Sequence, residues 1–239
     1  MDDDEVEDEG PPAPTPQRVA ARALVMSAVV CRGFIEKDAG KIGAEELRLR
    51  VADWLKTVDV ISEIEPHEAS MLDAPLGTLA SGQAIEGGWL CEGLAVLAWA
   101  LGRFPLPAYD QEVDPHAVAE SLDFLWDDAN ALISTASLRQ RAEITSLADQ
   151  LLDLHWRLAD FKKRPIHRDF KSFVEKDILG PLLMGIRFAG DDLAIGDLPI
   201  IQASEENADL LNSLARERHQ AINWLLGQEA IYSQVTPDT

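Results

Sequence analysis

The feature that most constrains the fold is a stretch of chain that is apolar on every side. From Trp89 to Leu101, only Glu92 and Gly93 interrupt the apolar residues. A helix that is hydrophobic all round has no face to turn towards water, so it belongs in the centre of a helical bundle. Gly102 and two nearby prolines follow and end the helix. The stretch therefore predicts a buried central helix.

The segments around this stretch have the period of amphipathic helices. Apolar residues recur at i, i+4, i+7, i+8 and i+11 from Leu47 to Val58. Similar stripes predict helices over 18–34, 138–162 and 209–226. Two shorter helices are predicted, one over 62–72 with a capping box of Ser62 and Glu65, and one over 114–124 capped by Asp114.

A strand-like signal appears once, late in the chain. Apolar residues at 193–195 and 198–201 flank Gly196 and Asp197, which suggests a small hairpin. Pro199 places at least one of its strands at an edge, because proline lacks the N–H that a central strand must donate. The sequence thus predicts an all-α fold, a single-domain helical bundle around a buried central helix, with one small β-hairpin excursion.

The charge of the chain is strongly unbalanced. Its 239 residues hold 21 basic and 42 acidic side chains, a formal net charge of −21. Such a surface repels phosphate, which argues against nucleic acid and anionic membranes as partners. Seven acids in the first ten residues and four prolines soon after predict a disordered tail over 1–16, followed by a single helical domain over 17–239. With no signal-peptide pattern and no bilayer-length apolar run, we expect a cytoplasmic protein.

The familiar motifs of catalysis and cofactor binding are missing. The sequence has no glycine-rich nucleotide loop, no nucleophile elbow, no H-E-x-x-H and no C-x-x-C. The H-R-D stretch at 167–169 resembles a protein-kinase catalytic loop, but Val174 stands where the metal-binding asparagine is needed. Cys31 and Cys91 lie in apolar runs and fit buried reduced thiols. We therefore expect no cofactor, no metal site and no assignable catalytic residue.

A candidate polar cluster lies on the predicted apolar faces. Glu92, His155 and Arg218 occupy positions where hydrophobic residues are expected, and His219 and Asn223 lie close to Arg218 on the last helix. A buried charge must be paired, so we expect Glu92 to contact Arg218 or His155 across helices. Asn223 can satisfy nearby polar groups. The cluster is either an acid–base group with an anion clamp or a satisfied network that fixes helix register.

Three stretches taken together resemble a known family. They are 92–102 (E-G-L-A-V-L-A-W-A-L-G), 138–156, and 217–239 with E-R-H-Q-A-I-N-W-L and a closing V-T-P-D-T. As a set they are similar to a bacterial family classed as a domain of unknown function (four-two-seven-two), over about Val19 to the C-terminus. Tyr232 and Ser233 stand in the region where members often have a Trp-Asp pair. The resemblance implies a helical cytoplasmic domain and brings no activity with it.

Two classes of function follow from these observations. The first is a non-catalytic acidic helical binding protein that engages a basic or amphipathic protein partner. The alternative is a small-molecule enzyme that uses the Glu92, His155 and Arg218 cluster for acid–base chemistry. A deep polar pocket at the cluster would favour the enzyme, and a packed cluster with an acidic outer face would favour the binding protein. The sequence leaves the identity of the partner and the oligomeric state open.

Overall fold

The protein is described by a computed structural model over residues 11–177 and 184–239. Within those ranges it is mainly α-helical, as the sequence predicts, with nine helices and three short strands. The helices are α1 (Pro16–Glu36), α2 (Ala44–Thr57), α3 (Pro66–Asp73), α4 (Ser81–Ala100), α5 (Pro115–Ser121), α6 (Ala129–Ser134), α7 (Arg141–Lys163), α8 (Phe170–Asp177) and α9 (Glu205–Leu226). The strands are β1 (Phe188–Ala189), β2 (Asp192–Ile195) and β3 (Leu198–Pro199).

The predicted central helix is α4, and it begins eight residues before the apolar stretch. Its residues from Cys91 to Ala100 are all buried, and it packs between α1 and α9. The crossing with α1 is close because two glycines meet there. A methyl group on Gly33 would lie 2.8 Å from the carbonyl oxygen of Ala84, and one on Gly87 would lie 2.9 Å from Met71. Larger residues at these positions would push the two helices apart.

The longest helices form a series in the order α1, α4, α9, α7, with each packed on the next. Helix α9 ends where the sequence predicts, at Leu226. Gly227 follows, and its φ of 87° belongs to the left-handed region that glycine adopts at helix ends. Helix α5 is capped as predicted, because the Asp114 carboxylate accepts from the backbone N–H of His116 at 2.9 Å. These helices bring polar residues on α4, α7 and α9 into the interior.

The start of α1 includes residues that the sequence assigns to the tail. Pro14 is buried, and the Thr15 hydroxyl caps the helix by accepting from the N–H of Arg18 at 3.2 Å. Pro11 lies against the end of α9, where the Pro11 carbonyl would be 2.7 Å from a methyl group on Gly227. Residues 11–16 are therefore packed on the domain, so its structured part starts before residue 17. Residues 1–10 of the predicted tail lie outside the described residues.

The predicted hairpin is present as β2 and β3, and a strand that the sequence does not signal extends it. The strand order is β1-β2-β3, antiparallel throughout, with Ala194 opposite Pro199. Pro199 therefore lies on an edge strand, as predicted. The strand β1 has two residues, Phe188 and Ala189, which is too short for an alternating pattern to show.

Other local predictions need correction. The capping box of the third helix is formed by Glu65 and Glu68, not by Ser62 and Glu65: the Glu68 carboxylate accepts from the N–H of Glu65 at 2.9 Å, and the helix begins at Pro66. The short helices α6 and α8 are absent from the sequence prediction because one or two turns show little periodicity. None of the described helices combines the length with the apolar character that a membrane span requires.

Candidate binding site

Glu92 and Arg218 form a buried ion pair between α4 and α9. Nε and Nη2 of Arg218 donate to the same oxygen of Glu92, at 2.9 and 2.7 Å, and each residue is 1% exposed. Of the two partners expected for Glu92, the structure has Arg218.

The segment between α4 and α5 closes around this pair. The second Glu92 oxygen accepts from the N–H of Val113 at 2.9 Å. Arg218 also donates to the carbonyl oxygens of Ala108 at 3.1 Å and Gln111 at 2.6 Å. Burial raises the pKa of Glu92, and the Arg218 guanidinium and the Val113 amide oppose that rise. Five hydrogen bonds thus occupy the pair and attach this segment to two helices, which is the arrangement of a structural network.

His155 and His219 form a separate contact between α7 and α9. Their Nδ1 atoms are 3.1 Å apart, so one ring donates and the other accepts. Burial lowers the pKa of both rings to about 4; the charges of Arg216 and Lys163 act on His155 in the same direction, and His155 acts on His219. Both imidazoles are therefore neutral near pH 7. His155 meets His219 and not Glu92, so of the two alternatives expected for Glu92 the structure has the Arg218 contact.

The candidate cluster is thus two contacts on different sides of α9. Arg218 meets α4, and the adjacent His219 meets α7. Asn223 is half-buried, and its backbone oxygen accepts from the N–H of Gly227 and of Gln228 at the end of the helix. The five predicted residues do not surround one cavity. Across residues 11–177 and 184–239, no group of three or more His, Cys, Asp or Glu side chains is arranged to hold a metal ion.

Two further buried ion-pair networks escaped the sequence analysis. Arg22 on α1 contacts the Glu68 carboxylate with both terminal nitrogens, at 2.7 and 2.6 Å. Arg157 on α7 contacts the Asp192 carboxylate with Nε and Nη2, both at 2.7 Å. Arg22 interrupts an apolar stripe of α1, and this is a signal that could have identified it. Arg157 shares its side of α7 with the polar residues Gln150, Asp153 and Asp160, so the sequence gives no such signal there. The H-R-D stretch belongs to the second network, since the Arg168 N–H donates to Asp192 at 3.0 Å.

An apolar groove lies on the other side of α4, where α1, α4 and α5 meet. It consists of two adjoining cavities of about 620 and 590 Å³, and Phe34, Lys37 and Pro115 line both of them. The first extends along α4 to Ile85 and Trp89, and the second extends towards α2 and the segment after α5. We call these two cavities the α1/α4/α5 groove.

The groove has exposed hydrophobic side chains and an acidic lining. Phe34 is 38% exposed and Ile85 is 60% exposed. The acidic residues that line it are Glu36, Asp38, Glu92 and Glu112.

Cys31 and Cys91 also line the groove, one in each cavity. Both are free thiols. Burial raises the pKa of Cys31 to about 11 and that of Cys91 to about 12. The thiols are therefore protonated near pH 7 and are poor nucleophiles.

The groove was not predicted because its lining residues come from four helices and the segments between them, and because Ile85 precedes the predicted start of the central helix. An available signal was Ile85 itself, a large apolar residue in a stretch of small and polar ones.

Comparison with protein-family profiles gives a match to residues 5–172, to the family described as Domain of unknown function (DUF4272). Searches of curated proteins and of solved structures found no match. The matched span contains the first two stretches on which the resemblance rests, at 92–102 and 138–156. The third, at 217–239, lies beyond it, so the match ends earlier than expected. The matched residues make up more than half of the chain, so the chain belongs to the DUF4272 family.

Proposed function

We propose that this protein is a non-catalytic binding protein whose α1/α4/α5 groove takes an amphipathic, basic helix of a partner protein. The observation behind the proposal is the groove: two adjoining apolar cavities of about 620 and 590 Å³ with large hydrophobic side chains at the surface. Helix-in-groove recognition uses apolar anchors at i, i+3, i+4 and i+7. The proposal also places the protein in a reducing compartment, the cytoplasm, which suits two free cysteines.

The length of the groove suits a short helix. Its α1 wall runs from Ser27 to Glu36, which at 1.5 Å per residue is about 14 Å. A partner helix of about three turns has the same length.

Charge favours a basic partner. The formal net charge is −21, and the described groove lining holds four carboxylates. Glu36 and Glu92 are paired with Arg32 and Arg218, which leaves Asp38 and Glu112 as the lining carboxylates without an arginine partner, beside Lys37. An acidic surface speeds encounter with a cationic partner and disfavours anionic ones. A helix with one apolar face and one basic face complements both the apolar lining of the groove and the negative charge of the protein.

The enzyme alternative has weaker support. Its acid–base residues would have to face a common cavity, but Glu92 and Arg218 are occupied by each other and by the 108–113 segment, and His155 lies on the α7 side of α9. Glu92 lines the groove while being 1% exposed. A carboxylate that already accepts three hydrogen bonds is poorly placed to take a proton from a substrate.

The test is selection of peptides from an unbiased library of 16-residue sequences displayed on phage. We expect the enriched sequences to be net positive, with apolar residues at helical spacing. Ile85→Glu places a charge in the groove and should abolish binding of the enriched peptides. Ile201→Glu is the matched control, since Ile201 is also exposed, at 42%, but lies outside the groove lining. Enrichment of acidic peptides, or binding that survives Ile85→Glu, would refute the proposal.

A further inference from the structure

An exposed tryptophan lies close to one end of the groove. Trp126 is 62% exposed, in the turn that joins α5 to α6. Phe124, two residues earlier, lines the second cavity of the groove and packs edge-on against Trp54 with ring centroids 5.0 Å apart. Tryptophan is frequent at binding hot spots, where a large ring becomes fully desolvated in the complex.

The backbone of this turn is strained. Asp123 and Leu125 have φ values of 55° and 65°, in the left-handed region that residues other than glycine seldom adopt. Leucine is an unusual residue for such a position because its Cβ crowds the following carbonyl oxygen. Strain of this kind persists where surrounding contacts impose it, and it is common at binding sites.

Side chains from α2 impose this conformation. Arg50 donates to the Leu125 carbonyl oxygen at 3.1 Å, and the Trp54 indole N–H donates to the Trp126 carbonyl oxygen at 3.1 Å. The backbone of Trp126 is therefore fixed on α2 while most of its ring remains in solvent. A backbone held in this way loses little conformational freedom when a partner covers the ring.

The charges next to Trp126 in the sequence indicate which kind of partner group its ring can accept. Asp127 and Asp128 follow Trp126 directly, and both are exposed. A guanidinium or ammonium group is attracted to the face of an indole ring and to nearby carboxylates.

We propose that Trp126, Asp127 and Asp128 form a second contact for the partner helix and that they accept one of its arginine or lysine side chains. The inference rests on the proposed function, since the groove must hold the apolar face of the same helix. It adds a position for the basic group of the partner, at the Phe124 end of the groove. The Trp126 ring and the two carboxylates would then select a cationic residue there over a neutral one.

The probes are two synthetic 18-residue helical peptides with leucine at i, i+3, i+4 and i+7. The polar face has arginine in one peptide and the neutral isostere citrulline in the other. We expect Trp126→Leu to weaken binding of the arginine peptide about thirtyfold, a hot-spot effect. The same substitution should weaken binding of the citrulline peptide less than threefold. Phe173→Leu is the control, because Phe173 is exposed, at 38%, on α8.

The outcomes separate the two proposals. If Ile85→Glu abolishes binding of the arginine peptide but Trp126→Leu leaves it unchanged, the groove stands and this inference is wrong. Equal weakening of both peptides by Trp126→Leu would refute recognition of a cation. Failure of the wild-type protein to bind either peptide would refute both proposals. The melting temperature of the Trp126→Leu protein should equal that of wild type, since the ring is mostly in solvent; a clear drop would assign the effect to folding and refute the inference.

Discussion

The buried pair of Glu92 and Arg218 allows a quantitative test of what holds α4 and α9 together. Arg218→Met would leave the Glu92 carboxylate and the carbonyl oxygens of Ala108 and Gln111 without their cation. Glu92→Gln would leave the guanidinium in the interior with neutral acceptors alone. Breaking a buried pair by removing one partner costs about 3–5 kcal/mol in the free energy of unfolding.

The double variant separates pairing from other effects. If the two residues are partners, Glu92→Gln with Arg218→Met should cost about 4 kcal/mol, against about 7 kcal/mol for the sum of the single changes. The coupling of about 3 kcal/mol would be measured by urea denaturation at pH 7, with far-UV circular dichroism as the signal. If Glu92 were a free catalytic carboxyl group, Glu92→Gln would instead leave stability almost unchanged.

A second pair provides the control for this cycle. Lys162 and Asp209 join α7 to α9 at 2.7 Å, and their side chains are 59% and 48% exposed. An exposed pair contributes about 0.2–1 kcal/mol, so its coupling should be several times smaller. Additive effects at Glu92 and Arg218, within about 0.5 kcal/mol, would refute the account of a network that fixes helix register.

Three further predictions concern other contacts. The pKa values of His155 and His219 are lowered to about 4 in the folded protein, so as the pH falls the unfolded chain takes up protons first. The contribution of these rings to stability should therefore be full above pH 6.5 and decrease towards pH 4. In melting-temperature measurements, His219→Gln should reduce this decrease between pH 6.5 and pH 4. Gly93→Ala would bring a methyl group into contact with the Tyr232 hydroxyl and should cost about 1–3 kcal/mol, and adding Tyr232→Phe should recover part of the loss in denaturation experiments. Asp59→Gly, at a φ of 55° after α2, should raise the free energy of unfolding by about 1 kcal/mol in the same assay.

The central helix could be predicted from the sequence because a helix that is buried on all sides needs an almost uninterrupted run of apolar residues. Glu92 was identifiable for the same reason: a carboxylate inside such a helix needs a cation. Which residue pairs with Glu92 was not identifiable. His155 and Arg218 both interrupt apolar stripes, and sequence spacing does not say which helix each stripe faces. The structure settles the choice through the order of packing, with α9 between α4 and α7.

The groove and the turn beside it could not be predicted. The groove depends on how closely α1 and α4 cross, and that distance depends on Gly33 and Gly87, which belong to no periodic pattern. The turn depends on Asp123 and Leu125 in a conformation that usually indicates glycine. Trp126 was therefore indistinguishable in the sequence from a tryptophan of the core.

The buried ion pairs and the acidic surface are connected. Each buried arginine takes one carboxylate into the interior, so net charge is unaffected, but the remaining basic residues are outnumbered by more than two to one. The charged residues outside these pairs therefore include a smaller fraction of basic side chains than the whole sequence does, and they carry the net charge of −21. Exposed charges are screened over about 10 Å at 0.1 M salt, whereas buried pairs are screened little. Binding of a basic helix should therefore weaken as salt rises while the fold persists. The pairs concerned are Arg22–Glu68, Arg157–Asp192 and Arg218–Glu92, in which both side chains are buried.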